Sequence, residues 1–268
     1  MKIAAIQMVS GTRVQDNLAA ARSLLQEAAA QGAELAVLPE YFCIMGMKDT
    51  DKLKAQESVG TGAIQDFLSR AARELGLWVV GGTLPMATSD PARARNCSLA
   101  YAPTGQCAAR YDKIHLFRFA QGTEDYDERR VLEPGAQPVR FDLASRDGHT
   151  YAVGMTICYD LRFPELYRAL QADVLLVPSA FTYTTGQAHW EVLLRARAIE
   201  NQAYVIAAAQ GGTHENGRRT WGHSMLVDSW GEVLGQQAQE PGVVLGEVVH
   251  AHMAGVRSRL PALQHRFL

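Results

Sequence analysis

Short, almost wholly apolar runs alternate along this chain with longer stretches in which apolar residues recur every three or four positions. "KIAAIQM" is followed by an amphipathic stretch over 14–31 and then by "LAVLPE". A second helical period over 63–75 leads into "WVVGGTLP". The first type of run predicts buried strands and the second predicts helices with one apolar face. "SLAYAP" and "CAARYDKIHL", joined at Thr104-Gly105, predict a hairpin, and "PVRFDL" with "YAVGMTIC" predicts another around Arg146-Asp147-Gly148. The order then restarts. A helix over 164–171 leads into "VLLVPSA", and a longer one over 188–201 into "AYVIAAAQ". "SMLVDSW" and "EVLGQQA" form a hairpin about Gly231, and "VVLGEVVH" is a last strand. Only 119–138, rich in charge and carrying Gly and Pro, reads as a long loop, a length usual for functional segments.

The two halves echo each other. "LAVLPE" matches "VLLVPSA", and "WVVGGT…SLAYAPTG" matches "YVIAAAQ…SMLVDSWG" in pattern and spacing. Two similar α/β halves, each a sheet with helices on one face, predict an α-β-β-α sandwich when the bare faces stack. No Pro-, Gly- or Ser-rich linker separates them, so the expectation is a single domain over residues 1–268.

Composition narrows the function classes. Lys+Arg number 26 against 28 Asp+Glu in 268 residues, a net charge of -2, which makes no case for nucleic acid or a membrane surface as partner. The pair Arg218-Arg219 is most simply a solvated turn. No apolar stretch reaches the roughly 20 residues of a membrane span. The N-terminal "MKIAAIQMV" is interrupted by a glutamine and lacks a small-residue cleavage site, so it reads as a first strand rather than a signal peptide. Cys43, Cys97, Cys107 and Cys158 form no CxxC pair, which points to reduced thiols in a cytoplasmic protein rather than to structural zinc.

Three strand ends carry three chemistries. Glu40 ends "LAVLPE", Lys113 lies near the end of "ARYDKIHL", and Cys158 ends "YAVGMTIC" before a helix opened by Pro164. Strand ends are where α/β folds gather ligands. A carboxylate there can take a thiol proton, an ammonium can steady developing negative charge, and the thiol can form the covalent bond. At a strand-to-helix turn the next residue, Tyr159, can offer its backbone N–H to an oxyanion. Each residue alone also has a plainer reading: a small buried hydrophobe, an exposed loop carboxylate, a surface ammonium. Spacings of 73 and 45 residues form no motif by themselves.

Taken together, "LAVLPE", "YDKIHLF" and "GMTICYDLRFPELYR" resemble the nitrilase superfamily of carbon–nitrogen hydrolases, over nearly the whole chain. The resemblance implies the α-β-β-α fold, a Glu40, Lys113, Cys158 triad, no metal or cofactor, and a homodimer or larger assembly formed through helices at one face. It also implies a second glutamate about six residues before a Pro-Gly; Glu128 stands six before Pro134-Gly135, with Glu124 and Glu133 as rivals. Cys-Tyr-Asp at the nucleophile resembles the amidase side of the superfamily, and "AHWEVLLRARAIENQAYVIAAAQ" and "GHSMLVDSWGEVL" resemble its Nit group. The substrate implied is a small amide, of the deaminated-glutathione type first and of the ω-amidase type second. The loop "FRFAQGTEDYDERR" departs from the Nit pattern.

For the carboxylate of such a substrate, candidates are Arg162 and the 178–186 segment, where Phe181 and Thr182 would line the acyl pocket and Thr185 or Gly186 would donate. The first reading of Arg162, ahead of substrate contact, is an arginine pairing with Asp160 or Glu165 to pin the turn. Cys97 and Cys107 read as packing residues, and Cys43 reads the same way or as a pocket wall. His250 and His252 would share a strand face but lack a third ligand. A catalytically silent binding protein of the same fold and a metallohydrolase are the readings from other classes.

Overall fold

The computed structural model describes residues 1–122 and 124–267. Seven strands make the first sheet, in the order β17 (Gly242–Glu247), β1 (Lys2–Gln7), β2 (Leu35–Val37), β3 (Trp78–Val80), β5 (Ala94–Tyr101), β4 (Leu84–Ala87), with β6 (Cys107–Asp112) also on β5. Six make the second: β16 (Val233–Gln237), β15 (Ser224–Val227), β12 (Tyr204–Ala207), β11 (Val174–Leu176), β10 (Thr150–Met155), β9 (Val139–Ala144). The predicted echo is a repeat of topology. β1, β2 and β3 run parallel with β5 antiparallel beside β3, and β10, β11 and β12 run parallel with β15 antiparallel beside β12.

Strand periodicity divides the apolar residues between two layers. Ile3, Ala5, Leu35 and Val37 point into a core shared with Val153, Val174, Leu176 and Ile206 of the second sheet. Their neighbours Ala4, Ile6, Ala36 and Leu38 point the other way, onto Leu18, Ala21 and Leu25 of α1 (Val14–Ala30) and Ile64 and Leu68 of α3 (Ala63–Leu75). The second sheet is covered by α4 (Pro164–Leu170) and α5 (Tyr183–Asn201), which bury Leu166, Tyr167, Trp190 and Leu194. The layers are thus helix, sheet, sheet, helix, and among the described residues no helix is long and apolar enough to cross a membrane.

Three expectations are corrected. The stretch 119–138 is not one long loop: β7 (Arg118–Gln121) and β8 (Glu124–Asp127) pair as a hairpin, followed by a 3-10 turn at Glu128–Arg130. The longer helix begins at Tyr183 rather than at residue 188, so Thr185 and Gly186 lie in its first turn. His250 opens a helix, α6 (His250–Arg259), instead of closing a strand, so His250 and His252 diverge: the first stacks on His149 and the second turns to Asp228 at 3.0 Å. A four-residue helix, α2 (Asp51–Lys54), and a small pair, β13 (Gly211–Thr213) with β14 (Arg219–Trp221), complete the elements.

Candidate active site

Glu40, Lys113 and Cys158 come from three separate turns and meet in one buried recess. The chain leaves β2 through Leu38-Pro39 and turns sharply at Tyr41, whose φ is +57°, with its N–H donating to the Thr83 hydroxyl. Gly82 lies so close under this turn that a Cβ there would stand 2.0 Å from the Pro39 carbonyl oxygen, which explains a glycine in "VVGGT". The Glu40 carbonyl accepts a hydrogen bond from Gln210 of the second half, at 3.0 Å. Its carboxylate is fully engaged: Oε1 accepts from Lys113 Nζ and Asn96 Nδ2, both at 2.8 Å, and Oε2 from the Ala180 N–H at 2.9 Å. The exposed-loop reading of Glu40 is therefore wrong, as its side chain is 1% exposed.

Lys113 follows the last residue of β6 and is equally buried. Its ammonium lies between Glu40 and Glu128, 2.8 Å from the first and 2.9 Å from the second. Burial alone would strip its proton, but the two carboxylates outweigh that and hold its pKa above the ordinary lysine value. Glu128 is held in turn by the Tyr41 hydroxyl at 2.7 Å and the Phe117 N–H at 2.8 Å. Burial pushes Glu128 up, yet Lys113, then Lys52, and these hydrogen bonds leave it below the usual carboxylate range. Of the rivals, Glu133 lies 3.9 Å from Arg95, and the side chain of Glu124 lies outside the described residues.

Cys158 starts a 3-10 turn after β10 and has φ +48°, a left-handed conformation that costs a non-glycine residue about 1–3 kcal/mol. Two contacts hold it there. Its N–H donates to the Pro178 carbonyl, and the preceding Ile157 N–H donates to Asp160. Burial pushes the thiol pKa well above its ordinary value, and the charge of Glu40 adds to this against the pull of Lys113. The carboxylate that acts most strongly on the sulfur is Glu40.

Asp160 is the residue that sequence reasoning missed. Fully buried, it accepts from the Tyr111 hydroxyl at 2.7 Å, the His115 N–H at 3.1 Å and the His115 ring at 2.7 Å, besides Ile157. Tyr111 and His115 bracket Lys113, so one carboxylate ties the cysteine turn to the lysine strand. His115 also stacks on Phe163, with ring centres 3.6 Å apart. The only signal in sequence was a polar residue two places after Cys158, which suggested a partner for Arg162. That pairing is overturned: Arg162 reaches His189 Nδ1 at 3.3 Å and lies over the Phe181 and Tyr159 rings.

Around Cys158 the recess is walled by Phe117, Tyr159, Phe181, Thr182 and Thr185 and is narrow, with about 10 Å³ of free space. Thr182 and Thr185 bond to each other through their hydroxyls at 2.7 Å. The Gly186 N–H is spent on the Thr182 carbonyl within the helix, so it cannot donate to a carboxylate. Arg162 is not among the walls, whereas Arg218 is, which overturns its reading as a solvated turn. Arg218 also borders a larger open basin of about 500 Å³, shared with Tyr41, Met45, Lys52 and Tyr126. The remaining cysteines stand apart. Cys43 and Cys97 are buried, whereas Cys107 is exposed rather than packed. Among the described residues no group of three or more His, Cys, Asp or Glu side chains is placed to hold a metal ion.

The family model for carbon–nitrogen hydrolases matches residues 2–258. A deaminated glutathione amidase of Synechocystis sp. is 41% identical over 98% of this chain and 97% of its own length. The NitFhit protein of C. elegans superposes with a TM-score of 0.87 at 34% identity, covering 99% of this chain and 64% of that one. A mutant of the amidase from Nesterenkonia sp. AN1, in which acrylamide has added to the active-site cysteine, superposes with a TM-score of 0.79 at 27% identity, over 97% of this chain and 98% of that one. With this fold, this breadth of match and these relatives, the chain belongs to the carbon–nitrogen hydrolase family of the nitrilase superfamily.

Proposed function

We propose that this chain, acting as one domain, is an amidase that hydrolyses the amide of deaminated glutathione through a thioester on Cys158. The observation that carries the reading is the line Glu128, Lys113, Glu40 beside a buried, strained cysteine in a recess that shares the wall Arg218 with a wide basin. Glu40 takes the thiol proton as sulfur attacks the amide carbon. The oxyanion that forms faces the Lys113 ammonium and the Tyr159 N–H. Glu40 then gives its proton to the departing amine, leaving the thioester. Water follows the same route: Glu40 removes its proton, the hydroxide displaces sulfur, and the acid leaves as the thiol is restored. Glu128 contributes by keeping Lys113 charged and aimed.

Support for a large leaving group comes from the shape of the site and from the Synechocystis relative. The narrow recess receives the attacked carbonyl at Cys158, and a dipeptide-sized amine needs the basin beyond it. An ω-amidase, the second reading, releases only ammonia and has no use for that basin. The test is a product-release screen of the purified protein with deaminated glutathione, α-ketoglutaramate, aliphatic amides, nitriles and N-carbamoyl amino acids. Deaminated glutathione should give the highest kcat/KM. A tenfold preference for α-ketoglutaramate would replace the first reading with the second, and activity on neither would remove both.

We also infer a homodimer through the outer face of α5. Val192 (62% exposed) and Ile199 (49%) lie there, and the Gly231 turn packs against Ile199 and brings Trp230 (49%) alongside. An apolar face of this kind, together with the superfamily's habit of pairing through helices, favours a second copy as its cover. Val192→Asp should convert the dimer to monomer in sedimentation analysis; a wild-type monomer would dismiss the inference.

A further inference from the structure

Lys48, Lys52, Arg218 and Arg219 line the basin together with Asp49 and Asp125, and two of these cations, Lys52 and Arg218, lack a close counter-ion among the described residues. Lys52 lies over the Tyr41 ring with Nζ 4.6 Å from its centre, and its nearest carboxylate among the described residues is Asp49, at 3.8 Å. Arg218 lies over the Tyr126 ring at 5.0 Å and forms no ion pair among the described residues. One of its terminal nitrogens donates to the Ala180 carbonyl at 3.1 Å, while its Nε is buried without a partner among the described residues. An unsatisfied buried donor is destabilising, and like charges facing one cavity repel more strongly as water leaves it. Burial and the Arg218 charge both act to weaken the Lys52 ammonium, against Glu128 and Asp49. Such a pair is stable in its charged form when an anion lies between its members.

We propose that Arg218 and Lys52 form a carboxylate-binding subsite at the neck between the recess and the basin, and so select acidic amides over neutral ones. Arg218 is the wall common to both spaces, within reach of a substrate whose amide lies at Cys158. Its guanidinium offers a planar fork to a carboxylate, and the Lys52 ammonium adds a point charge. Arg218 is fixed to Ala180, the residue whose N–H orients Glu40, so a bound carboxylate is held in register with the base. This deepens the reading of the chain as an amidase for an acidic substrate and rests on it. The carboxylate is that of the 2-oxo acid at the acyl end or that of a dipeptide at the leaving-group end.

Arg218→Gln keeps an amide donor for the Ala180 carbonyl and removes the charge; Lys52→Met keeps the stem over Tyr41. Each is compared with wild type on α-ketoglutaramate, on a neutral acyl group joined to a dipeptide, and on a neutral aliphatic amide. The expected result is a roughly 10- to 100-fold fall in kcat/KM for acidic substrates, with the neutral amide changed less than threefold. A fall confined to α-ketoglutaramate assigns the subsite to the acyl end, and one confined to the dipeptide amide assigns it to the leaving group. An equal fall on all three overturns the proposal, since Arg218 would then only prop Ala180 and Glu40. A second readout needs no substrate: the ratio of Cys158 alkylation by iodoacetate to that by iodoacetamide, reagents of like size that differ in charge. It should fall at least fivefold in Arg218→Gln, and an unchanged ratio overturns the subsite. If the ratio falls while deaminated glutathione and α-ketoglutaramate are both inert, the subsite stands and the substrate reading fails.

Discussion

Cys158→Ser should fold as the wild type does and lose nearly all turnover. The exchange replaces sulfur by oxygen in a side chain that is 7% exposed and whose backbone is held by Pro178 and Asp160 rather than by the thiol. Stability should therefore change little. The chemistry should change greatly, because a carboxylate that can take the proton of a thiol is far too weak a base for an alcohol. Burial and Glu40 already push the thiol pKa up, so even the native sulfur depends on an adjacent base. Mass spectrometry of wild type quenched during turnover should find the acyl group on Cys158 and not on Cys107, although Cys107 is the exposed thiol. A serine variant with native kcat, or an acyl group on another cysteine, would refute the role.

Much of this architecture is legible in sequence, for an identifiable reason. Strands buried on both faces read as unbroken apolar runs, and the repeat of a run ending in proline, "LAVLPE" and "VLLVPSA", shows two matched halves whose bare faces must meet. The hairpins joining β5 to β6, β9 to β10 and β15 to β16 follow from turn dipeptides between such runs. What escaped is what depends on distant contacts. The first turn of α5 is "YTTG", polar and glycine-bearing, and resembles a loop. Its Thr185 faces the recess, and Gly186 is required because a Cβ would stand 2.3 Å from Trp221. α6 buries only Met253 and Val256, too narrow a stripe to announce a helix. Arg218 follows Asn216-Gly217 and carries every local mark of a solvated turn. It becomes a site wall only because Ala180, 38 residues away, receives its hydrogen bond. Asp160 is likewise explained by Tyr111 and His115, more than forty residues earlier.

The triad itself lies between these cases. Glu40, Lys113 and Cys158 occupy strand ends where chemistry gathers, but spacing cannot show that three turns converge, and the resemblance to a family supplied that step. The fold then accounts for it through the repeat. Leu38 N–H bonds to Val80 and Val177 N–H to Ile206, equivalent positions in the two halves. Glu40 and Ala180, which follow these bonded residues, meet across the sheet interface in the hydrogen bond that orients the carboxylate.

Glu40→Gln and Lys113→Ala should each cost at least ~10²–10³ in kcat, for separable reasons. The glutamine is nearly isosteric and retains an oxygen for Lys113 and Asn96, so folding should survive, but no proton acceptor remains. It also removes the negative charge that raises the thiol pKa and leaves Lys113, which lowers it. The bare thiol should therefore ionise at lower pH than in wild type, and iodoacetamide labelling of Cys158 should climb with pH although amide turnover stays low. Lys113→Ala does the reverse. It leaves Glu40 and Glu128 buried without the ammonium between them, two carboxylates that then repel and take up protons. That variant should lose stability as well as activity, and its loss should ease at acid pH, where a shared proton replaces the missing charge. Lys113→Arg should also fail, since a planar guanidinium does not fit a gap set by contacts of 2.8 and 2.9 Å to the two glutamates. Lys113→Arg with near-native kcat would mean that the site needs only a positive charge there and not an ammonium at that point. Glu40→Gln with native turnover would remove the base from the mechanism altogether.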